Sequence, residues 1–238
     1  MRSIHLLICL GTYLRTASID KFLSEQLSNG PVQIVSFGAG FDTRFYRFED
    51  NANLKAYFEI DFDHIVKEKA RMIAKHSLKS PLLIGADLEK EFETVVEPRV
   101  KSALDPSIHT LIIMECILMY LNDEACSKML TSLRSLFKSS KLLVFDPVFV
   151  GDRFGQVMES NLAQRGLSSQ IFRKYPTIDA QAARFKALGW KPESVQSMSD
   201  LAKDEDFATT LREKSPLDEY EEWNLLTLHY YLLVAHNE

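Results

Sequence analysis

Glycines and an acidic residue follow two apolar runs of this sequence, at points where parallel strands would bring them together. Gly38 and Gly40 come after the run at residues 32–37, and Asp61 comes after the run at residues 56–60. Glycine lets the backbone turn tightly and approach a ligand. A carboxylate at the end of the second strand, about twenty residues after the glycines, can accept hydrogen bonds from both hydroxyls of a ribose. The pattern therefore predicts a nucleoside site.

Each of these residues also has a plainer interpretation. A lone Gly-x-Gly is in many proteins only a tight turn, and Asp61 with Asp63 would also suit the start of a helix. The ligand interpretation is favoured for Asp61 because the glycines lie upstream. Phe41-Asp42-Thr43 stands where a dinucleotide fingerprint has its third glycine, which argues against a pyrophosphate and hence against NAD or FAD.

Further acidic residues follow later apolar runs. Asp87 would accept a hydrogen bond from the amino group of adenine while Leu88 covers the base, although Asp87 alone suits a helix cap equally well. Glu115 directly follows residues 110–114, where a carboxylate is unfavourable unless a cation pairs with it. The ammonium group of a bound methionine moiety would be such a cation, and so would Arg15.

The order of apolar and amphipathic stretches predicts the sheet that would position these side chains. Strands alternating with helices are typical of a doubly wound parallel sheet, in which ligands bind at the carboxyl ends of the strands. The last strand is expected at or near the edge of the sheet. The expected strands are residues 32–37, 56–60, 81–84, 110–114 and 142–145, followed by strands at Trp190 and at 225–235.

Helices are expected between these strands. The first spans residues 13–27 and ends at Asn29-Gly30-Pro31, Asp63 caps a second, and Asn122 caps a later one. Residues 1–10 read as an atypical, partly buried lead-in, and an insertion on the substrate side is expected at about 147–175. The apolar faces of the first two helices are Ile19, Phe22, Leu23 and Leu27, then Val66, Ala70 and Ile73.

The composition of the chain limits the kinds of protein to which it can belong. Its 238 residues suit a single α/β domain, and 46% hydrophobic with 26% charged residues is typical of a soluble globular protein. The net charge of −5 argues against a nucleic-acid binder. Cys9, Cys116 and Cys126 lack the paired spacing of a metal site or a disulfide framework. We therefore expect no metal, no membrane span and residence in the cytoplasm or also the nucleus.

Several blocks of the sequence resemble the leucine carboxyl methyltransferase family, in the same order and over nearly the whole chain. The family implies a Rossmann-like methyltransferase fold, a mostly parallel doubly wound sheet with helices on both faces and an insertion after the fifth strand. It also implies S-adenosylmethionine as the cofactor. The blocks are Gly11-Thr12-Tyr13-Leu14-Arg15-Thr16, residues 37–44, Phe58-Glu59-Ile60-Asp61-Phe62, Gly85-Ala86-Asp87-Leu88, residues 115–120, Gly151-Asp152-Arg153-Phe154-Gly155 and the ending from Leu228 to Ala235.

The resemblance also implies roles for these residues. By the resemblance, Tyr120 and the Asp152-Arg153 pair belong to segments beside the substrate opening. That Arg153 orients the substrate carboxylate is our own inference from the chemistry of the two groups. A solvated pair for Asp152 and Arg153, and an ordinary half-buried aromatic for Tyr120, are the plainer interpretations. His229, on an apolar strand, is expected to be a core histidine. The expected cofactor contacts are Arg15 to the methionine carboxylate, Gly38 and Gly40 beside that moiety, Asp61 to the ribose, Asp87 and Leu88 to the adenine, and Glu115 completing the pocket.

Members of the family methylate the C-terminal leucine carboxylate of the protein phosphatase 2A catalytic subunit. By the resemblance, this subunit is the expected partner. The alternatives are a small-molecule carboxyl methyltransferase, a tRNA wybutosine-type enzyme, and a catalytically weak protein that binds the cofactor or the phosphatase. The last is motivated by the N-terminus, because residues 1–10 do not resemble the family's longer lead-in.

Overall fold

A seven-stranded sheet forms the centre of the protein. The computed structural model describes residues 2–149, 151–164, 170–214 and 220–237. The strand order is β3-β2-β1-β4-β5-β7-β6, with β1 to β5 parallel and β7 antiparallel to both β5 and β6. The predicted doubly wound α/β fold is confirmed. The strands are β1 Val32–Phe37, β2 Leu54–Asp61, β3 Leu82–Gly85, β4 His109–Glu115, β5 Ser140–Pro147, β6 Lys191–Ser197 and β7 Tyr230–Asn237.

The helices connect these strands and cover both faces of the sheet. A π-helical turn at Phe92–Val96 precedes α4, and a 3-10 turn at Leu118–Tyr120 follows β4. The α-helices are α1 Arg2–Asn29, α2 Phe45–Phe48, α3 Asp63–Lys75, α4 Glu97–Ala103, α5 Asp123–Leu136, α6 Arg153–Gln164, α7 Gln170–Lys174, α8 Ile178–Ala187, α9 Met198–Leu201, α10 Glu205–Lys214 and α11 Tyr220–Leu228.

Alternate residues of the central strands enter separate cores on the two faces. On one face Val35, Ile112 and Val144 pack in a cluster that includes Leu130 and Leu133 of α5. On the other face the strands pack in a cluster that includes the apolar stripe of α1, of which Ile19, Leu23 and Leu27 are fully buried. Strands apolar on both faces are typical of a covered parallel sheet. The carboxyl ends of β1, β2, β4 and β5 thus lie along one edge.

The first helix begins much earlier than the sequence predicts. Helix α1 includes residues 2–10, which were expected to be a separate lead-in. The reason is tertiary packing: Leu7, Leu10 and Leu14 continue the buried stripe at helical spacing. Glycine usually weakens a helix interior, but a Cβ on Gly11 would lie 3.4 Å from Cε of Met198. The helix therefore packs closely against α9 at this glycine.

Two expectations for the helix after β2 were wrong. The N-cap of α3 is Phe62, and Asp63 is the first helical residue, paired with Lys67 at 2.6 Å instead of capping. Ala70 is exposed, while Lys69 is buried beside Ile73. Lys69 is buried because its amino group forms an ion pair with the buried carboxylate of Glu59. A buried ion pair is therefore present where an apolar contact was expected.

The last two strands also differ from expectation. Trp190 lies just before β6, and its indole nitrogen donates to the carbonyl oxygen of Leu130 at 3.1 Å. Residues 225–228 are the end of α11, so only the second half of the predicted last strand is a strand. Strand β6 occupies the edge, with β7 beside it. The expected insertion at 147–175 contains α6 and α7, while residues 150 and 165–169 lie outside the described part.

Asn122 caps α5 as predicted, because its side-chain oxygen accepts a hydrogen bond from the amide of Ala125 at 2.8 Å. We expect Asn122→Ala to lower the free energy of unfolding by about 1 kcal/mol, measured by urea denaturation. Asn122→Ser is the control and should retain most of this stability, since serine also caps helices. Equal losses in both variants would show that capping is not what Asn122 contributes.

Candidate functional site

A cavity of about 470 Å³ opens where β1 and β4 end side by side. This is the point at which the strand order reverses, the usual ligand position in such sheets. Three of the predicted cofactor residues, Arg15, Gly38 and Glu115, line it together. The other lining residues are Thr16, Ser36, Ala39, Phe41, Asp42, Thr43, Arg44, Arg47 and Cys116.

The two glycines belong to the turn that follows β1, in which Gly38 lines the cavity and Gly40 does not. Both have positive φ, +67° at Gly38 and +50° at Gly40, a conformation that side chains disfavour. A Cβ on Gly38 would lie 2.7 Å from Cδ1 of Ile117, whereas one on Gly40 would meet nothing within 4 Å. Gly38 is therefore required by conformation and by space, and Gly40 by conformation alone.

Asp61 is joined to this turn through the backbone. One carboxylate oxygen accepts from the amide of Gly40 and the other from the amide of Phe62, both at 2.7 Å. Asp61 closes β2 and does not cap α3, whose N-cap is Phe62. The structure thus brings Asp61 beside Gly40, although Asp61 is not among the residues that line the cavity.

Glu115 lies between two arginines at the end of β4. Its Oε1 is 2.6 Å from Nε of Arg15, and its Oε2 is 2.9 Å from a terminal nitrogen of Arg44. Arg15 is therefore one of the cations that pair with Glu115, as the sequence predicted. Arg44 was quoted only as part of a motif and was missed as a site residue. The sequence feature that could have identified Arg44 was Glu115, because a carboxylate directly after an apolar strand needs a cationic partner.

Arg44 ties the glycine turn to α1 and β4. Its side chain is only 3% exposed and pairs with Asp20, Asp42 and Glu115. Burial alone would lower the pKa of Arg44, but attraction by Glu115 and Asp42 outweighs burial and the pKa is raised. Arg44 is therefore a fixed cation that links three separate parts of the chain.

A second buried ion pair, between Lys69 and Glu59, stabilises the same turn. Lys69 donates to the backbone oxygen of Asp42 at 2.7 Å and forms an ion pair with Glu59. Burial raises the pKa of Glu59 to about 7, although the hydrogen bond from Lys69 opposes the shift. The ammonium of Lys69 thus holds Asp42, two residues after Gly40.

Cys116, the residue after Glu115, lies in the cavity wall with φ at +53°. Burial raises the pKa of its thiol to about 12. A guanidinium nitrogen of Arg15 approaches the sulfur at 3.7 Å, which opposes this shift only in part. Cys116 is therefore a neutral thiol at physiological pH and is unsuited to act as a nucleophile.

We expect Cys116 to react with iodoacetamide at least about tenfold more slowly than Cys9 at pH 8, because the thiolate is the reactive form. Cys9 is exposed and serves as an internal control in the same sample. The measurement is peptide mass spectrometry over a time course. Labelling of Cys116 at the rate of Cys9 would mean that the site holds a thiolate, contrary to the structure.

The predicted adenine-side residues lie outside this cavity. Asp87 pairs with Lys90 at 3.1 Å and accepts from the amide of Glu89 at 3.0 Å. Leu88 is buried in the core cluster that includes Phe37 and Phe92. Both follow β3, two strands from β1 at the same edge of the sheet. Their cofactor roles stay predictions.

A smaller cavity of about 170 Å³ adjoins Arg15 on the other side. Most of its lining is apolar, and Arg15 is the charged residue in it, so this arginine lies in the walls of both cavities. The lining residues are Ile8, Gly11, Thr12, Arg15, Phe145, Met198, Leu226 and Tyr230. An apolar group attached to an anion would suit such a cavity.

The two residues predicted beside the substrate opening are both exposed. Tyr120 ends the 3-10 turn after β4, and Arg153 begins α6 after β5. Neither lines either cavity. His229 is buried, as expected of a core histidine, and one of its ring nitrogens lies 3.0 Å from Asp152.

Two absences hold for the described part of the chain. No group of three or more His, Cys, Asp and Glu side chains among those residues is arranged to hold a metal ion. Within the same residues, no helix has the length and apolar character required to cross a membrane.

Solved structures of other proteins have the same fold. A geranyl diphosphate C-methyltransferase from Streptomyces coelicolor, solved with S-adenosyl-L-homocysteine, has the same fold at a TM-score of 0.57 and 9% identity, over 93% of this chain and 77% of that one. A DUF574 family protein from Streptomyces avermitilis matches at a TM-score of 0.68 and 16% identity, over 96% and 83% of the two chains.

Sequence comparison identifies the family. Leucine carboxyl methyltransferase 1 of Yarrowia lipolytica is 33% identical over 257 residues, which are 97% of this chain and 79% of that protein. The family description "Leucine carboxyl methyltransferase" matches residues 4–134. The chain belongs to the leucine carboxyl methyltransferase family, and it has the fold and the cofactor, S-adenosylmethionine, of that class of methyltransferases.

Proposed function

We propose that this protein methylates the C-terminal leucine carboxylate of the protein phosphatase 2A catalytic subunit. The observation that carries the proposal is the apolar cavity beside Arg15, which adjoins the larger cavity at the strand ends. A leucine side chain is apolar and matches this lining, while Arg15 is assigned to the cofactor and Arg153 to the leucine carboxylate.

The larger cavity fits the methionine part of S-adenosylmethionine. It offers a guanidinium in Arg15 and a carboxylate in Glu115, which complement the carboxylate and the ammonium of an amino acid. Gly38 lines the same cavity and adds no side chain to it. In this proposal Asp61 binds the ribose, and Asp87 with Leu88 binds the adenine. When bound, the cofactor supplies a methyl group on a positively charged sulfur.

The acceptor needs no general base. A C-terminal carboxyl group has a pKa of about 3.5 in model peptides and is ionised at neutral pH. A reaction that needs no base is compatible with this site, in which Cys116 is a neutral thiol. The chain's own task is to remove water from the carboxylate and to align one oxygen with the methyl group.

The walls around Arg15 would perform this task. Phe145, Met198 and Leu226 line the apolar cavity and would exclude water from the terminal residue. Arg153 would orient the carboxylate through one hydrogen bond and Tyr120 would border the opening. One firm contact is expected, because a carboxylate held too tightly becomes a weaker nucleophile.

The test is transfer of a radiolabelled methyl group to phosphatase with and without its terminal leucine. We expect label on the full-length catalytic subunit, sensitive to mild base as a methyl ester is, and none on the truncated subunit. Calorimetry with S-adenosylmethionine and with NAD is the parallel control, with heat expected only from the former. Cofactor binding without any transfer would contradict the proposal and favour the weak binding protein considered above.

A further inference from the structure

Residues Gly151 to Gly155, which carry Arg153, fold around the buried side chain of His229. His229 lies between α11 and β7 and is 1% exposed. Its carbonyl oxygen accepts from the amide of Val148 at 2.9 Å, so the chain leaving β5 passes directly beside it. The ring of Phe154 lies 4.6 Å from the imidazole, centre to centre.

Both ring nitrogens of His229 face acceptors. Nδ1 lies 2.7 Å from the carbonyl oxygen of Leu225, and Nε2 lies 3.0 Å from Oδ1 of Asp152. A carbonyl and a carboxylate can only accept, so the ring makes both hydrogen bonds when both nitrogens carry a proton. The imidazole therefore links α11 to the beginning of α6.

Asp152 forms the other half of this link. The oxygen that faces His229 also accepts from the amide of Gly155 at 2.8 Å, which caps the first turn of α6. The Gly155 amide and then the His229 side chain lower the pKa of Asp152, in opposition to burial. A Cβ on Gly155 would lie 3.5 Å from Nε2 of His229, an ordinary van der Waals distance, so Gly155 lies directly beside the imidazole.

The anchored segment lies at the edge of the sheet where the site is. His229 directly precedes Tyr230, which lines the apolar cavity with Arg15. Tyr230 also stacks on Phe145 near the end of β5, with ring centres 5.6 Å apart. Arg153 is exposed and adjacent in sequence to Asp152. A contact that fixes Asp152 therefore fixes the backbone from which Arg153 extends.

We propose that His229 is a positioning residue that holds Asp152, and through it Arg153, at the acceptor side of the site. This inference rests on the proposed function in one respect, the acceptor that Arg153 orients. His229 itself is buried and is not among the residues that line either cavity. It acts through the segment that it anchors.

Two substitutions separate the two hydrogen bonds of the ring. His229→Asn keeps a donor near the position of Nδ1 and loses the bond to Asp152, whereas His229→Gln keeps a donor near Nε2 and loses the bond to Leu225. Each variant removes one bond of a buried side chain, so their general losses of stability are matched. His236→Gln, at the other end of β7, is the background control.

Hydrogen exchange of residues 151–158 tests the anchor without any acceptor. We expect markedly faster exchange in His229→Asn and exchange close to wild type in His229→Gln and His236→Gln. Asp152→Ser is a second route if His229→Asn does not fold, because serine still caps the helix but is too short to reach the imidazole. Equal exchange in the Asn and Gln variants, or slow exchange in Asp152→Ser, would overturn the proposal.

Steady-state kinetics test the consequence for the acceptor. In His229→Asn we expect KM for the phosphatase to rise about tenfold, with the cofactor Kd unchanged. A tenfold rise is the effect of losing one hydrogen bond to a charged group, here the bond from Arg153 to the acceptor carboxylate. An unchanged KM would overturn the link to Arg153. If the wild-type protein transfers no methyl group to the phosphatase, the proposed function fails, while the exchange data still decide whether His229 anchors the segment.

Discussion

Replacing Asp61 with alanine is expected to weaken binding of S-adenosylmethionine at least about tenfold while the chain stays folded. In the proposed complex the carboxylate accepts hydrogen bonds from two ribose hydroxyls, and each hydrogen bond to a charged group contributes roughly 1.5–3 kcal/mol. The same carboxylate also accepts from the amides of Gly40 and Phe62. Its loss would therefore also loosen the glycine turn. Isothermal calorimetry measures the change.

Asp61→Asn separates these two roles of the carboxylate. Its amide oxygen can still accept from Gly40, so the turn should persist, but the negative charge is gone and the remaining amide nitrogen donates. We expect an affinity between those of the wild type and Asp61→Ala, with thermal stability close to wild type. Normal cofactor affinity in Asp61→Ala would show that the carboxylate serves only the backbone amides and that the ribose lies elsewhere.

Replacing Glu115 with alanine should affect both stability and cofactor binding. The change leaves Arg15 and a terminal nitrogen of the buried Arg44 without their carboxylate. Arg44 keeps Asp20 and Asp42, so we expect the free energy of unfolding to fall by about 2–3 kcal/mol, below the range for a fully broken buried pair. Cofactor affinity should fall at least about tenfold through loss of the partner for its ammonium.

An exposed ion pair supplies the matched control for this substitution. Glu124 and Lys128 are paired at 2.7 Å on the surface of α5, and exposed pairs of this kind contribute about 0.5 kcal/mol or less. We expect Glu124→Ala to leave cofactor binding unchanged and the urea midpoint nearly unchanged. If Glu115→Ala and Glu124→Ala destabilise equally, the two arginines do not depend on Glu115.

The sheet was predictable because its signal is local. The apolar runs that become β1, β2, β3, β4 and β5 are strands near the expected bounds, and Asn122 caps α5 as expected. Wrong expectations arose where tertiary contacts decide the outcome. Residues 2–10 are helical because Leu7 and Leu10 extend a buried stripe, and Lys69 of α3 is buried because its amino group pairs with Glu59 of β2.

The candidate site divides in the same way. The positions of Gly38, Gly40, Asp61 and Glu115 at the strand ends were predictable from the sequence, since each follows an apolar run. Their contacts with the cofactor stay predictions. Arg44 was not predictable, because its partners Asp20 and Glu115 lie 24 and 71 residues away along the chain. No local pattern records a contact of that separation.

The sequence by itself determined the strand order along the chain, the glycine turn and the family. Only the tertiary structure decided which charges pair and what the buried histidine holds. Hydrophobic periodicity and turn residues act over a few neighbours and are written in the sequence directly. Ion pairs such as Arg15–Glu115, and the hydrogen bond from His229 to Asp152, depend on how the sheet brings distant segments together.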